Sequence, residues 1–164
     1  MPFPNKVNYT WPIGFPGRLA SANPFRSVVP PRDGFRAGAG GLTIAAFAWA
    51  QSDGTLLNAG DDIPTGFVPA DQQGLTTAYL EESTMTVPPG FMTNLVSGGD
   101  FYAISTVAAN VGDMVYASTT TGAITTVTPG SSGPTGYINT TWTVSYGGAA
   151  GDPIIITGPF SAIG

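Results

Sequence analysis

From Gly41 onward, apolar and polar positions alternate in short runs that Gly, Pro, Asp and Asn interrupt every few residues. A period of two marks a strand with one buried face, and frequent punctuation of this kind marks a sandwich or barrel. The runs predict strands at Leu42–Ala50, Gly66–Val68, Leu75–Leu80, Thr84–Val87, Thr93–Val96, Phe101–Ser105, Met114–Ser118, Ala123–Val127, Tyr137–Tyr146 and Ile154–Thr157. Thr, Val, Ile and aromatic residues dominate them, which suits a pleated, half-buried surface. The clearest hairpin runs from Val115–Ala117 through Ser118–Gly122 to Ile124–Val127, with a Thr-rich loop closed by Gly. Val87-Pro88-Pro89-Gly90 and Val127-Thr128-Pro129-Gly130 read as turns. Glu81 and Glu82 suit the start of a short helical turn, but no 3.6-residue period is sustained. The expected fold is all-β, a mostly antiparallel sandwich, jelly-roll or barrel-like body of roughly eight to ten strands.

The first 40 residues are different. Pro2, Pro4, Pro12, Pro16, Pro24, Pro30 and Pro31 fall within them. Proline lacks the N–H, restricts the residue before it and is excluded from central strands. This predicts an extended N-terminal arm over residues 1–40, with polyproline-II character, ahead of a β-rich body over 41–164. The arm is not an ordinary disordered tail, because Phe3, Tyr9, Trp11, Phe15, Phe25 and Phe35 lie within it. Aromatics and Arg are enriched at the centres of interfaces. Two readings stay open: the arm orders on a partner surface, or it folds back over its own body.

Charge sharpens the division. The chain has 164 residues and a net charge of −5. Its five basic residues, Lys6, Arg18, Arg26, Arg32 and Arg36, all precede Ala37. With Asp33 they leave that stretch at +4, while nine acids and no Lys or Arg put the rest at −9. Such asymmetry suggests an interaction arm.

Candidate chemistry is sparse. The chain has no Cys and no His. Disulfides, thiolate metal sites, a Cys nucleophile, a Ser-His-Asp triad and the commonest transition-metal ligand are therefore excluded. Asp61-Asp62 and Glu81-Glu82 are adjacent pairs, but neighbours on a strand point to opposite faces. No Asp-x-Asp-x-Asp-Gly calcium loop occurs, and Gly38-Ala39-Gly40-Gly41 lacks the Lys of a phosphate loop and reads as a hinge. The expectation is a non-enzyme with no cofactor and no metal. A body at −9 argues against direct nucleic-acid binding. No apolar run reaches the roughly 18 residues of a membrane helix, so no membrane partner is expected. The proline-broken N-terminus lacks a signal-peptide pattern, which points to synthesis in the cytoplasm.

Several blocks, in order and spacing, carry a family likeness. Met1-Pro2-Phe3-Pro4-Asn5-Lys6-Val7 is followed by Ala20-Ser21-Ala22-Asn23-Pro24. Gly40-Gly41-Leu42-Thr43-Ile44, Phe47-Ala48-Trp49-Ala50 and Pro64-Thr65-Gly66-Phe67-Val68 come next. Gln72-Gln73, Tyr79-Leu80, Val87-Pro88-Pro89-Gly90-Phe91 and Ser97-Gly98-Gly99-Asp100-Phe101-Tyr102-Ala103 follow, then Val111-Gly112-Asp113-Met114-Val115-Tyr116-Ala117. Over residues 1–118 the chain resembles the tailed-bacteriophage structural cement, or capsid decoration, proteins. The resemblance implies a virion structural protein on the outer surface of an HK97-fold capsid, made in the host cytoplasm. Its partners would be the major capsid protein and copies of itself, as a dimer or trimer, and it would clamp neighbouring capsomers to stabilise the expanded head. Phe3, Lys6, Trp11, Phe15, Arg18, Phe25, Arg26, Arg32 and Arg36 are then the expected capsid-interface residues. The run Asn8 to Pro16 is richer in aromatics than the family pattern. The rival reading is a tail-fibre or baseplate-associated receptor-binding module, which predicts binding to cells or glycans.

Overall fold

The computed structural model describes residues 14–70 and 84–159. Among them there is no helix, and fourteen strands follow one another. They are β1 (Arg26–Ser27), β2 (Phe35–Ala37), β3 (Leu42–Thr43), β4 (Phe47–Ala50), β5 (Thr55–Leu57), β6 (Gly66–Phe67) and β7 (Thr86–Val87). Then come β8 (Met92–Thr93), β9 (Val96–Gly98), β10 (Asp100–Ile104), β11 (Met114–Ser118), β12 (Ile124–Val127), β13 (Tyr137–Tyr146) and β14 (Pro153–Thr157). Seven form a sheet in the order β1-β9-β6-β4-β5-β2-β8, and five form a second in the order β10-β14-β13-β11-β12. β3 and β7 make a separate ribbon, with Leu42 opposite Val87. The ladders are antiparallel except for β2 with β5, where Arg36 faces Thr55 in a parallel pair.

Side-chain alternation explains the layering. On β13 Thr140, Trp142 and Val144 point inward, and on β14 Ile154 and Ile156 do so. They meet Phe47 and Phe67 from the seven-stranded sheet. Phe47 and Phe67 lie 5.6 and 5.8 Å from the Trp142 ring, and Phe67 lies 5.5 Å from Phe101, so four aromatic side chains join the two sheets. β4 is apolar on both faces because it serves two cores. Phe47 and Trp49 enter the first, while Ala48 enters a second with Phe35, Leu42, Leu56, Val68, Val87 and Leu95. The β3–β7 ribbon covers that second face.

Three sequence expectations are corrected. Leu42–Ala50 is not one strand: the chain turns at Ala45, a non-glycine residue at φ +59°, where it leaves the ribbon for the main sheet. Its two halves are apolar because both are buried, in different layers. Thr93–Val96 is divided between β8, one edge of the seven-stranded sheet, and β9, which lies next to the other edge between β1 and β6. The proline-rich first 40 residues do yield an internal strand, since Phe35-Arg36-Ala37 contains no proline and lies between β5 and β8. β5 was not foreseen, and the count exceeds the expected eight to ten because several strands have only two or three residues. The Leu75–Leu80 strand and the Glu81-Glu82 turn lie outside the described residues.

Candidate functional site

The sequence places all its basic residues, with Phe3, Tyr9, Trp11, Phe15, Phe25 and Phe35 among them, in the N-terminal segment, so the geometry of that segment is the first question. From Gly14 it is laid along the body. The Gly17 N–H donates to the Tyr102 carbonyl at 2.7 Å, the Tyr102 N–H to Arg18 at 2.9 Å, and the Ala20 N–H to Asp100 at 2.9 Å. Leu19 bridges Phe101 in antiparallel fashion. These bonds cover the outer edge of β10, the edge strand of the five-stranded sheet, which would otherwise present open donors and acceptors. Gly17 sits at φ +85°, and a Cβ there would lie 2.9 Å from Ala70 and Ile44 side-chain atoms. Only glycine meets both demands.

Asp100 pins the segment. Its Oδ2 accepts from Ser21 Oγ at 2.6 Å and from Asn23 Nδ2 at 2.7 Å, and its Oδ1 accepts from Thr157 Oγ1 at 2.7 Å. Burial alone pushes this carboxyl up, but the bonds from Ser21, Thr157 and Asn23 outweigh it and hold the group below its ordinary value of 3.8. One carboxylate thereby joins β10, β14 and the N-terminal segment.

Beyond the pin, Phe25 meets Phe101 edge-on at 6.4 Å, yet half of its surface remains in water. Phe15 is equally exposed. Arg18 and Phe25 line one pocket of about 160 Å³, together with Leu19, Val96 and Phe101. Arg26 is half-buried and its Nε donates to Ser97 Oγ at 2.9 Å. Arg32 and Arg36 are exposed. Arg36, on β2, contributes weakly to lowering the Asp53 carboxyl, whose larger cause is hydrogen bonding from the Thr55 backbone and hydroxyl. Thus Phe15, Arg18, Phe25, Arg26, Arg32 and Arg36 lie along one segment, and Phe15, Arg18, Phe25, Arg32 and Arg36 show at the surface. Phe3, Lys6 and Trp11 lie outside the described residues.

The acids do not converge. Among the described residues no group of three or more His, Cys, Asp or Glu is placed to hold a metal ion. Asp61 and Asp62 are exposed, and the Asp62 carbonyl accepts from Trp49 Nε1 at 2.6 Å. Asp113 is buried and binds the Asn110 N–H at 2.8 Å within its own loop. In the sequence Asp100 is marked only by the glycines before it. Its two N-terminal partners are 77 and 79 positions away, and no local pattern reveals them.

A family model described as XM1 gp53 minor capsid protein matches residues 3–158. The chain belongs to that family. Its role is therefore structural, within the virion, in association with other capsid components. A solved chain from "The capsid of Myoviridae Phage XM1" has the same fold, with a TM-score of 0.58 over 96% of this chain and 97% of that one. Their sequences are 17% identical, so the likeness shows the fold alone. A search of curated proteins finds no match.

Proposed function

We propose that the chain is a cement, or decoration, protein on the outside of an HK97-fold capsid, where it clamps neighbouring capsomers and stabilises the expanded head. Residues 1–40 act as the grip and 41–164 as the body that carries it. The reading rests above all on the half-exposed Phe15 and Phe25 beside Arg18, Arg32 and Arg36 on one segment. Apolar surface left in water is recovered on docking at about 25 cal/mol per Å². Arginine forks pair with capsid carboxylates in bidentate fashion. Phe3, Lys6 and Trp11 extend the same chemistry toward the N-terminus. Arg26 joins them through the pocket described below. The major capsid protein is the partner, and copies of the chain associate as a closed dimer or trimer. Many copies on one shell add avidity.

The test is co-sedimentation with undecorated expanded heads, using the full chain and a chain lacking residues 1–13. The shorter deletion is chosen because removing 1–40 also removes β1 and β2 from the seven-stranded sheet. Saturable binding by the full chain, weakened at least tenfold in the deletion, is the expected result. No binding by the full chain, with binding to host cells instead, would replace this reading with the receptor-binding one.

A further inference from the structure

A second pocket, of about 170 Å³, lies between the sheets' ends and is lined by Arg26, Ile63, Pro64, Ser97, Thr141 and Trp142 among others. Its size is close to the roughly 150 Å³ that admits one benzene ring, so it holds a single apolar side chain. The rim carries Ile63, a large aliphatic residue 64% exposed. On one side stands Arg26. Its Nε is held by Ser97 Oγ, which in turn donates to the Arg26 carbonyl at 3.3 Å, so the planar group is oriented by its own strand and the next. Among the described residues no carboxylate pairs with its Nη donors. An oriented, half-buried guanidinium with an open fork next to an apolar hollow is complementary to a carboxylate next to an apolar side chain.

The opposite wall is built unusually. In β13 the register against β11 jumps between Asn139 and Thr143. Within this bulge Thr141 takes φ +67°, a left-handed conformation that β-branched residues avoid. The bulge is held by Thr140 Oγ1 donating to the Val115 carbonyl at 2.8 Å and by the Thr141 N–H donating to Asn139 Oδ1 at 2.7 Å. Bulges re-aim side chains where a binding surface needs it.

Resting on the capsid reading above, we propose that this pocket receives an extended segment of the capsid protein that bears an Asp or Glu next to an aliphatic or Pro side chain. The carboxylate pairs with the Arg26 fork, and the apolar side chain enters between Ile63 and Trp142. A polyanion is a poorer fit, because one Arg faces it on a chain whose body is strongly acidic.

The experiment measures binding to undecorated heads by the full chain and its R26Q, R26K and I63S variants, with thermal melts to confirm folding. The expected result is at least a tenfold weaker affinity for R26Q and I63S and an intermediate one for R26K, which keeps the charge but loses the fork. I63S removes an exposed side chain, so its loss of binding cannot be assigned to unfolding. Wild-type affinity in folded R26Q and I63S would overturn the inference and leave the cement reading standing. Bare heads with the full chain would overturn both. Should R26Q dissociate a self-associated species in sedimentation velocity while binding heads normally, the occupant is a second copy and the proposal fails. Isovalerate, followed by NMR, is expected to shift the Arg26 Nε–H and Trp142 indole signals saturably. Equal shifts with neutral isovaleramide would overturn the carboxylate pairing.

Discussion

Asp100 ties the N-terminal segment to β10 and β14. Its carboxylate satisfies donors from Ser21, Asn23 and Thr157 in a nearly buried position, and Thr157 is also paired with the Ser145 hydroxyl. Removing the charge leaves those donors short of an acceptor, which costs about 1–3 kcal/mol. D100N is therefore expected to lower the unfolding free energy from urea titration at neutral pH by that order. The pH dependence follows from the direction of the shift. The folded group lies below its unfolded value, so its contribution is complete above the ordinary carboxylate range and is lost as pH falls through the folded value. Urea titrations from about pH 5 down to about pH 2 should show stability falling in the native chain. The fall should be shallower in D100N. Asp53, lowered by its Thr55 bonds, keeps part of the slope in both chains. An unchanged slope would show that Asp100 does not hold the segment.

Individual elements were legible where burial is one-sided. β11 and β13 have the bounds that alternation predicted, Met114–Ser118 and Tyr137–Tyr146. The β11–β12 hairpin, with Met114 opposite Val127, is also as foreseen. By contrast β1, β2 and β5 have two or three residues each, too few to display any period. The Leu42–Ala50 run misled because an apolar stretch buried on both faces looks the same whether or not it turns. The hairpin loop also makes a contact that no local pattern announces: the Phe47 N–H donates to the Gly122 carbonyl at 2.9 Å. Gly122 has φ +66°, and a Cβ there would lie 2.1 Å from the Phe47 carbonyl oxygen. Both features exclude a side chain. Gly122→Ala should cost more than about 1 kcal/mol, seen as a lowered melting temperature. A melt matching the native one would mean that the loop is free to move from β4.

At the level of the whole molecule, the two sheets meet through Phe47, Phe67, Phe101 and Trp142. Phe67 is fully buried at the middle of this group. Phe67→Ala is expected to cost about 3–5 kcal/mol, a large part of the roughly 5–15 kcal/mol that holds a domain together. Because the group belongs to both sheets, near-UV and far-UV circular dichroism should lose signal at one coincident midpoint in the native chain. Separate midpoints would mean that the sheets unfold independently. The charge division has its consequence at this scale as well. A body without Lys or Arg leaves the N-terminal segment as the chain's one source of basic side chains, so the cement proposal predicts that salt weakens binding to heads through that segment's arginines.

The amino-acid sequence by itself determined the all-β class, the confinement of basic residues to the first 36 positions, and the missing Cys and His, since composition and period-two patterning are local properties. Tertiary structure alone decided where that basic segment lies. Residues 17–20 seal the β10 edge, Asp100 draws Ser21 and Asn23 across nearly half the chain, and β2 enters the sheet between β5 and β8. It also decided the pocket beside Arg26, because Arg26 on β1, Ile63 in the loop before β6 and Thr141 in the β13 bulge are far apart in the chain. Contacts between residues so far apart are set by how sheets stack, and no run of neighbouring residues encodes them.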